Sequence, residues 1–537
     1  MAEQTDPIRV EEIDWPALLP FVQIFRSFRT AIGPAKMVVA LLLVVALYLF
    51  GLLLDGLFFG DSAYRGEPDA YATRTSDDAF ARWRIERPVK LADELTLMAI
   101  EPKTDQPFPD RLESAWDAVK EKYVRLRDEL AKREDLDKPE FRSRSANLTR
   151  SRAAELNGLR QLQPQGVFAA ALSFKLDAFE RLVSAATSLR FGFAQVMAST
   201  PPNRDTVVGA VQDLVITLPC WLAHAHGRFL MVWLLGATAL CALLGGAVCR
   251  MAALQATRDE RISIREALKF ARDKWVWLFL SPLIPLLLVL LIWLPMAIVG
   301  LVFNVPVLDV LGSIIFGLAL FGGFVVALIL IGLAGGFNLL YPAIAVEGSE
   351  SFDALSRVYH YVFFRAWRLI FYNVVALVYG AATYLFVGAL IFLILMVTQK
   401  FAGSFVWASA PGVADRFELI MPPPQVGQLG YELDWSSLAG SAAVTAALIK
   451  VWSFVLVALL GAYAVSYYYC AQTWIYLLLR RAADGTEYDD VYLEPSPDED
   501  EVKDVSSPAD TLEVEAEAGG HTDAQESETP SEPSPDA

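Results

Sequence analysis

Apolar runs of membrane-spanning length alternate with short charged stretches along most of this 537-residue chain. A helix needs about 20 mainly apolar residues to cross the hydrocarbon layer of a bilayer. Six runs meet that requirement, so the pattern predicts an all-α membrane protein with six transmembrane helices in three hairpins. In chain order, the six predicted spans cover residues 36–58, 227–249, 275–302, 309–337, 369–398 and 450–479.

The fourth apolar region is longer than one span requires, because residues 310–346 contain no charged side chain. We interpret it as one long helix that leaves the membrane near Tyr341, and a broken helix would have the same composition. Two separate spans would carry the next basic residues to the outer side, against the tendency of Lys and Arg to stay cytoplasmic. Those residues are Arg357, Arg365 and Arg368.

Basic residues mark the predicted cytoplasmic side. Arg26, Arg29 and Lys36 precede span one, and Arg480 and Arg481 follow span six. By the positive-inside rule both termini are cytoplasmic, and we expect a multi-pass protein of the bacterial inner (plasma) membrane. The other predicted segments are a cytoplasmic amphipathic N-terminal segment (1–35), a helical extracytoplasmic domain (59–226), two cytoplasmic interfacial helices (250–274 and 347–368), an extracytoplasmic loop (399–449) and a disordered acidic cytoplasmic tail (482–537).

One helix of the predicted extracytoplasmic domain has a very regular apolar pattern. In "RLESAWDAVKEKYVRLRDEL", apolar side chains recur at alternating spacings of four and three residues. This spacing is typical of the seam of a coiled coil or a helical hairpin. Two amphipathic segments follow, at 140–162 and 166–198, and we expect the second of these to lean on the bilayer. The seam residues are Leu112, Trp116, Val119, Tyr123, Leu126 and Leu130.

Two similar stretches lead into apolar spans: "ISIREALKFARDKWVWLFL" at Ile262–Leu280 and "SFDALSRVYHYVFFRAWRLIFY" at Ser351–Tyr372. Each predicts an amphipathic helix that lies flat in the membrane interface, apolar face toward lipid, with tryptophan at the point of entry. We name them the first and second elbows, and a weaker third copy opens the chain around Phe21 and Phe28. The predicted elbow residues are Ala267, Leu268, Trp275, Ala354, Leu355 and Trp367.

The segment "IAVEGSESFDALSRVYHYVFFRAW" resembles the interfacial elbow of a group of prokaryotic multi-span membrane proteins. That group includes the membrane domain attached to some glycerophosphodiester phosphodiesterases. The junction "WIYLLLRRAADGTEYDDVYLE" is similar to uncharacterised multi-span proteins of planctomycete-like bacteria. The resemblance extends over about 240–370 and 470–495 and implies a membrane fold and location. It transfers no catalytic residue, because the phosphodiesterase chemistry of those proteins belongs to a separate domain.

Composition agrees with a membrane protein, since 55% of the residues are hydrophobic and the mean hydropathy is +0.38. The net charge of −17 belongs to the end of the chain, because residues 482–537 contain 19 Asp or Glu and one Lys. A segment of that composition forms no core, and it either binds a basic partner or only solubilises the chain. The four cysteines form no C-x-x-C pair, which favours neither a disulfide framework nor a thiolate metal site.

The predicted spans contain almost no ionisable residue, which argues against an ion-coupled transporter. Three uncharged polar residues lie at membrane depth, Asn338, Asn373 and Gln472. They fit hydrogen bonds between helices better than substrate contacts. Gly332 and Gly336 form a G-x-x-x-G pair, which is typical of close helix packing.

Common enzyme motifs are missing from the sequence: there is no G-x-x-x-x-G-K-[ST], H-E-x-x-H or G-x-S-x-G. His224 and His226 would point apart on a helix and predict no metal site. We therefore expect no catalytic residue, no cofactor, no metal and no nucleic-acid partner. The sequence favours a non-enzymatic scaffold or assembly protein that contacts the lipid bilayer and binds protein partners through residues 60–204 and 482–537. The alternative is a transporter or permease subunit for a small or lipidic substrate.

Overall fold

The computed structural model is built almost entirely of helices. Two short strands, β1 (Ser62–Ala63) and β2 (Gln165–Gly166), pair antiparallel within residues 59–226. We call this part of the chain the extracytoplasmic stretch, after the location predicted for it. The structure describes residues 19–57, 62–74, 76–97, 108–132, 162–192, 203–304, 308–406 and 441–493, together with isolated positions in 144–159 and 417–433.

The described helices are numbered in chain order. The first half of the chain forms α1 (Arg26–Ala31), α2 (Pro34–Leu57), α3 (Glu67–Ala72), α4 (Asp77–Leu97), α5 (Phe108–Ala131), α6 (Val167–Thr187), α7 (Val207–Gln212), α8 (Leu218–Leu240) and α9 (Gly246–Arg258). The second half forms α10 (Ile264–Asp273), α11 (Trp275–Leu280), α12 (Leu283–Val302), α13 (Leu308–Gly336), α14 (Leu340–Glu347), α15 (Ser351–Phe364), α16 (Ala366–Gly403) and α17 (Ser441–Asp484). Short π-helical turns, Asp213–Thr217 and Cys241–Gly245, link α7 to α8 and α8 to α9.

Seven helices in the described ranges are long and apolar enough to cross a membrane, so the chain is a multi-pass, all-α membrane protein. The helix that the sequence analysis did not select, Val207–Ala225, lies within the predicted extracytoplasmic domain. It meets Gly227–Arg258 at His226, whose φ of −136° and ψ of 43° make a kink. The six-span hairpin layout stays a prediction. The other candidate spans are Pro34–Leu57, Leu283–Val302, Gly312–Glu347, Ala366–Gly403 and Ser441–Asp484.

The last span, α17, lies at the centre of the bundle. It packs along α2, α9 and α16, and every residue from Tyr469 to Arg480 is buried. Tyr467 donates its hydroxyl to the Ala376 carbonyl at 2.7 Å, and its ring fills the space beside Gly380. A helix segment buried on all its faces is surrounded by other elements rather than by lipid. The three neighbouring helices are therefore arranged around the C-terminal part of α17, whereas its first half has exposed apolar side chains such as Leu448 and Trp452.

The N-terminal segment, α1 and the residues just before it, packs across two spans. Phe25 meets Tyr379 of α16 edge to face at 4.8 Å, and Phe28 meets Tyr463 of α17 at 6.0 Å. Ser466 of α17 also donates its hydroxyl to a carbonyl of α1 at 2.8 Å. The aromatic face of the third elbow copy is thus in contact with protein.

The first and second elbows share the same series of backbone turns. The helices that precede them end at Asp259 and Gly348, which both have left-handed backbone angles (φ 54° and 64°). A short turn then leads into the elbow helix, α10 or α15. Each elbow helix ends at a basic residue outside the helical range, Lys274 or Arg365, and the next helix begins there. The sequence similarity therefore corresponds to a repeated local structure.

The apolar stripe of the first elbow and part of that of the second are buried against protein, whereas the sequence pattern suggested contact with lipid. In the second elbow Phe352 and Phe363 are exposed. Ala267 is fully buried because α10 packs on α9. Ala354 and Leu355 are at most 4% exposed because α15 packs on α13 and α14. Of the other predicted elbow residues, Leu268 and Trp275 are half-buried and Trp367 is 84% exposed.

Both the third and the fourth predicted spans are interrupted. Ser281 and Pro282 separate α11 from α12, and Pro295 lies inside α12. A 3₁₀ turn, Phe337–Leu339, separates α13 from α14. Proline lacks the N–H group that continues a helix, which accounts for the first interruption. The uncharged run 310–346 is thus one long helical path with a tight turn near its end.

The hairpin formed by α12 and α13 packs mainly on itself. Its base contacts the second elbow through α13, and its outer surface consists of large apolar side chains such as Leu291 (66% exposed) and Leu318 (71% exposed). In the most apolar 18-residue stretch of Gly312–Glu347 no residue is buried. We name this unit, Leu283–Gly336, the free hairpin. It is held by its base and by the pairing of its two helices.

The extracytoplasmic stretch has its own core around the predicted heptad seam. The seam residues Leu112, Val119 and Tyr123 are buried in one cluster, and Trp116 and Leu126 are partly buried against it. Leu130, further along the seam, is also buried. Most of the predicted segment 140–162 lies outside the described residues. The cluster is completed by Leu91, Ala115, Leu159 and Leu162.

Helix α6, within the segment expected to lean on the bilayer, contacts the spans. A Cβ atom on Gly51 of α2 would lie 2.4 Å from the Phe168 ring, so this backbone and ring are in direct contact. Phe179 meets Tyr384 of α16 edge to face at 5.7 Å. The extracytoplasmic stretch is therefore packed on the last turns of α2 and on the middle of α16.

The G-x-x-x-G pair of α13 lies against the second elbow. A Cβ atom at Gly332 would be 2.6 Å from the Tyr359 ring, and one at Gly336 would be 2.4 Å from the Val358 side chain. Tyr359 also donates its hydroxyl to the Ile329 carbonyl at 2.9 Å. Small residues at this position let the elbow approach the helix backbone closely.

We expect Gly332→Ala to destabilise the protein by about 1–3 kcal/mol, because the added methyl group overpacks this contact. Thermal unfolding of the purified protein in detergent measures the effect. Gly317→Ala on the same helix is the matched control, because a Cβ atom there meets nothing within 4 Å. Equal melting temperatures for the two variants would contradict the close packing.

Candidate functional site

The three uncharged polar residues predicted at membrane depth form hydrogen bonds with or beside α17. Gln472 donates Nε2 to Asn373 Oδ1 at 3.1 Å, and Tyr468 donates its hydroxyl to Asn338 Oδ1 at 2.6 Å. Asn373 in turn donates Nδ2 to the Leu369 carbonyl at 2.9 Å. Bonds of this kind link helices within a membrane. They connect α17 to α16 and to the turn that follows α13.

Glu347 is the centre of an ion cluster at one end of the bundle. Its carboxylate accepts a hydrogen bond from the Tyr476 hydroxyl at 3.1 Å. The same carboxylate pairs with Arg480 Nε at 2.8 Å and with Arg357 Nη1 at 3.4 Å. The Glu347 and Arg480 side chains are only 11% and 6% exposed. A buried ion pair is stable only when further partners satisfy its remaining atoms, as they do here.

This Glu347 cluster joins the end of α14, the second elbow and the last span. Next to it, Tyr361 of the elbow donates its hydroxyl to Asp484 Oδ2 at 2.6 Å. Burial and the adjacent carboxylate raise the pKa of Tyr361 above its usual value, so the phenol stays protonated. Arg480 also donates Nη2 to Asp490 Oδ2 at 2.9 Å. The segment after α17 therefore folds back onto Arg480.

The first elbow is tied to the second by polar contacts. Lys274 donates Nζ to the Gly348 carbonyl at 2.7 Å, and Ser351 donates Oγ to the Trp277 carbonyl at 2.7 Å. These two bonds are reciprocal, because each elbow supplies one donor and one acceptor. They fix the two repeats relative to each other where the Glu347 cluster lies.

Two further buried cations brace the same end of the bundle. Arg250 donates Nη1 to the Ala345 carbonyl at 2.9 Å and lies 4.5 Å from the centre of the Phe270 ring. Lys36, at the start of α2, is 4% exposed and donates to the Gln255 side chain. Basic residues that the sequence marks as orientation signals thus also hold helices together.

Asp55, at the other end of α2, attaches the extracytoplasmic stretch to the span. Its carboxylate accepts hydrogen bonds from the backbone N–H groups of Phe168 at 2.8 Å and Ala169 at 3.1 Å. These are among the first N–H groups of α6, which have no partner inside the helix. A carboxylate at this position caps the helix and interacts favourably with its dipole.

A second buried carboxylate, Glu67, lies beside the kink at His226. Glu67 is fully buried, and its Oε2 accepts a hydrogen bond from the Tyr64 N–H group at 3.0 Å. Its Oε1 is 3.2 Å from Arg84 Nε and 3.5 Å from His226 Nε2. His226 thus lies beside a buried carboxylate, while His224 faces the Tyr71 ring at 6.1 Å. The two histidines do not converge.

A hollow of about 470 Å³ opens in the extracytoplasmic stretch, with acidic and basic side chains interleaved around it. Arg181 at its edge pairs with the buried Asp213 at 2.8 Å, and Arg204 pairs with the same carboxylate at 2.7 Å. Burial, with a smaller contribution from Asp69, raises the pKa of the Asp177 carboxyl. In the described ranges no group of His, Cys, Asp and Glu could hold a metal ion. The lining residues are Asp69, Asp177, Glu180, Arg181, Ser184, Arg190 and Asp205.

The residues that hold this structure together are mostly ones that sequence reasoning did not select. Glu347 could have been noticed, because it is the first charge after the uncharged run 310–346. Asp55 had a weaker signal, as a single acid at the end of an apolar run. Glu67 had no such signal in the sequence, because it lies in a stretch of the chain that is polar throughout. The polar groups described here join helices to one another by charge pairing and hydrogen bonding.

We expect Glu347→Gln to lower the free energy of unfolding by about 3–5 kcal/mol, because the buried Arg480 would lose its buried counter-charge and keep only the exposed Asp490 carboxylate. Thermal unfolding followed by circular dichroism measures the loss. Asp353→Asn is the matched control, since Asp353 is 53% exposed and its carboxylate lies 3.6 Å from Arg357. A pair so exposed contributes at most about 1 kcal/mol. Similar losses in both variants would contradict the central role of Glu347.

We expect Asp55→Ala to loosen α6, because the first N–H groups of this helix lose their acceptor. The loss of such a cap costs about 0.5–2 kcal/mol. Limited proteolysis of the extracytoplasmic stretch detects it as faster cleavage around Val167–Thr187. Asp55→Asn, which keeps one acceptor oxygen, should be cleaved at an intermediate rate. Identical cleavage of wild type and Asp55→Ala would contradict the capping role.

Comparison with known proteins identified no matching family model, no curated relative and no similar solved structure. The resemblance to the membrane domain of glycerophosphodiester phosphodiesterases therefore stays a prediction from the sequence alone. The function of this chain is therefore inferred from its own residues and their arrangement.

Proposed function

We propose that this protein is a non-enzymatic scaffold or assembly protein of the inner membrane, which binds other proteins both within and outside the bilayer. The free hairpin is the observation that carries the proposal. Its two helices pair with each other, and their outer faces present apolar side chains such as Leu291, Leu318 and Phe321, which are 62–71% exposed. Helices in lipid associate where small residues let their backbones approach closely. Gly300 and Gly317 of this hairpin lie open, because a Cβ atom there meets nothing within 4 Å, so a partner span has direct access to this surface.

The proposed topology has six spans with both termini cytoplasmic. In this topology the Glu347 cluster and both elbows lie at the cytoplasmic ends of the spans. The positive-inside rule predicts basic residues at those ends. Val207–Ala225 then belongs to the extracytoplasmic domain. Its Asp213 supports this placement, because the carboxylate pairs with Arg181 and Arg204 in a group of charges that lipid would not tolerate.

Two other regions are proposed to contact partners. The extracytoplasmic domain (60–204) offers a helical surface outside the membrane, and the acidic tail (482–537) offers negative charge to a basic protein. Beyond residue 493 the tail lies outside the described residues. The proposal for the tail therefore depends on its composition, with 19 Asp or Glu and one Lys.

Photo-crosslinking in intact cells tests the proposal. A photoreactive amino acid at Leu318 or Leu291 of the free hairpin should give a discrete adduct with another membrane protein. The same residue at Leu460, which is 5% exposed inside the bundle, is the control and should give none. Adducts with lipid only, at both hairpin positions, would contradict a partner on this surface. Partner recovery that survives deletion of both 60–204 and the tail would contradict the contacts proposed for those regions.

A transporter or permease subunit for a small or lipidic substrate is the second candidate. The hydrogen bond between Tyr468 and Asn338 supports it, because the Tyr468 side chain is 36% exposed although it lies in an apolar span. A polar, accessible group at that depth could line a substrate path. Single cysteines along Leu283–Val302, Leu308–Gly336 and Ala366–Gly403 should then react with a water-soluble thiol reagent beside Tyr468. Uniform protection along all three helices would exclude a water-filled path.

A further inference from the structure

The two elbows end in corners that match in sequence and differ in surroundings. At the first corner, Lys274 donates Nζ to the Gly348 carbonyl at 2.7 Å, and Trp275 donates Nε1 to the Ala239 carbonyl at 3.2 Å. The Lys274 ammonium group and the Trp275 indole therefore both have hydrogen-bond partners within the protein. Lys36, the basic residue that opens the first span, is likewise buried and bonded to Gln255.

The second corner is open. Arg365 and Arg368 are exposed, and within the described part of the chain neither guanidinium has a hydrogen bond or an ion pair. Trp367 lies between them in sequence and is 84% exposed, and Phe364 is 73% exposed. The non-helical torsions of Arg365 (φ −128°, ψ 28°) turn the chain here from the elbow into α16. Two cations and two large aromatic rings are thus presented together where a span begins.

The chemistry of this corner matches a particular kind of ligand. Arginine binds phosphate through two parallel hydrogen bonds. Arg365 directly precedes α16 and Arg368 lies in its first turn, so both long side chains start from the same end of this helix. Exposed tryptophan and phenylalanine at the start of a span favour the boundary between headgroups and hydrocarbon. A ligand that satisfies both features carries negative charge on a phosphate and an apolar chain beside it. An anionic phospholipid has both the phosphate and the apolar chain.

We propose that the corner Phe364–Arg368 binds an anionic phospholipid. Its phosphate lies against Arg365 and Arg368, and its acyl chains lie along Trp367 and Phe364. The inference is independent of the proposed scaffold function, because it concerns lipid at the elbow and not a protein on the free hairpin. It also accounts for the difference between the corners, since lipid supplies at the second the partners that the protein supplies at the first.

Native mass spectrometry of the full-length protein in detergent tests the proposal with added phosphatidylglycerol and phosphatidylcholine in equal amounts. Wild type should retain phosphatidylglycerol preferentially. The double variant Arg365→Gln/Arg368→Gln should bind it about 25-fold more weakly, because each arginine near an anionic surface contributes about fivefold. Binding of phosphatidylcholine should change little. Trp367→Ala should weaken the binding of both lipids, because it removes the ring on which the chains lie.

The matched control is Arg261→Gln/Arg265→Gln, which removes two exposed charges near the first elbow. It should retain phosphatidylglycerol within about twofold of wild type, since these two side chains belong to the first elbow and lie outside the proposed site. Equal losses in the two double variants would overturn the proposal, because the attraction would then be general surface charge. Displacement of the lipid by millimolar inorganic phosphate, or no effect of Trp367→Ala, would overturn the phospholipid assignment. Thermal unfolding of each variant shows that these exposed substitutions leave the fold unchanged.

Discussion

The buried pair of Glu347 and Arg480 determines how one end of this molecule is arranged. Two opposite charges removed from water are stable only if their partners are held in place, which constrains every element that supplies one. Here those elements are the end of α14, the second elbow through Arg357, and the last span through Tyr476. The elbow that this pair positions also supports the base of the free hairpin at Gly332 and Gly336.

The bundle and the free hairpin are held together by different kinds of contact. Around α17, side-chain hydrogen bonds and buried tyrosines link several spans, and these contacts replace the hydrophobic driving force that is missing in lipid. The free hairpin has few such contacts, and it depends on the pairing of its two helices and on the elbow beneath them. A rigid centre beside a surface that is open to other helices suits a protein whose proposed role is to assemble others.

The extracytoplasmic stretch is attached to the apolar helices by polar contacts. Asp55 caps α6, and Glu67 lies between Arg84 and His226 at the kink that leads into the next apolar helix. The packing of Phe168 on Gly51 completes the connection. These contacts join the stretch to α2 and to the helix that begins beyond His226.

The sequence by itself determined the helical class, most of the apolar spans, the heptad seam and the repeated elbows, because these features follow from local periodicity and from turns a few residues long. The tertiary structure alone decided which residues each elbow buries, that Val207–Ala225 is helical throughout, and where Asn338, Asn373 and Gln472 find partners. It also decided the role of Glu347, whose bond to Tyr476 joins residues 129 positions apart. Contacts of that separation leave no periodic trace along the chain, since they depend on how whole helices pack and not on the order of neighbouring residues.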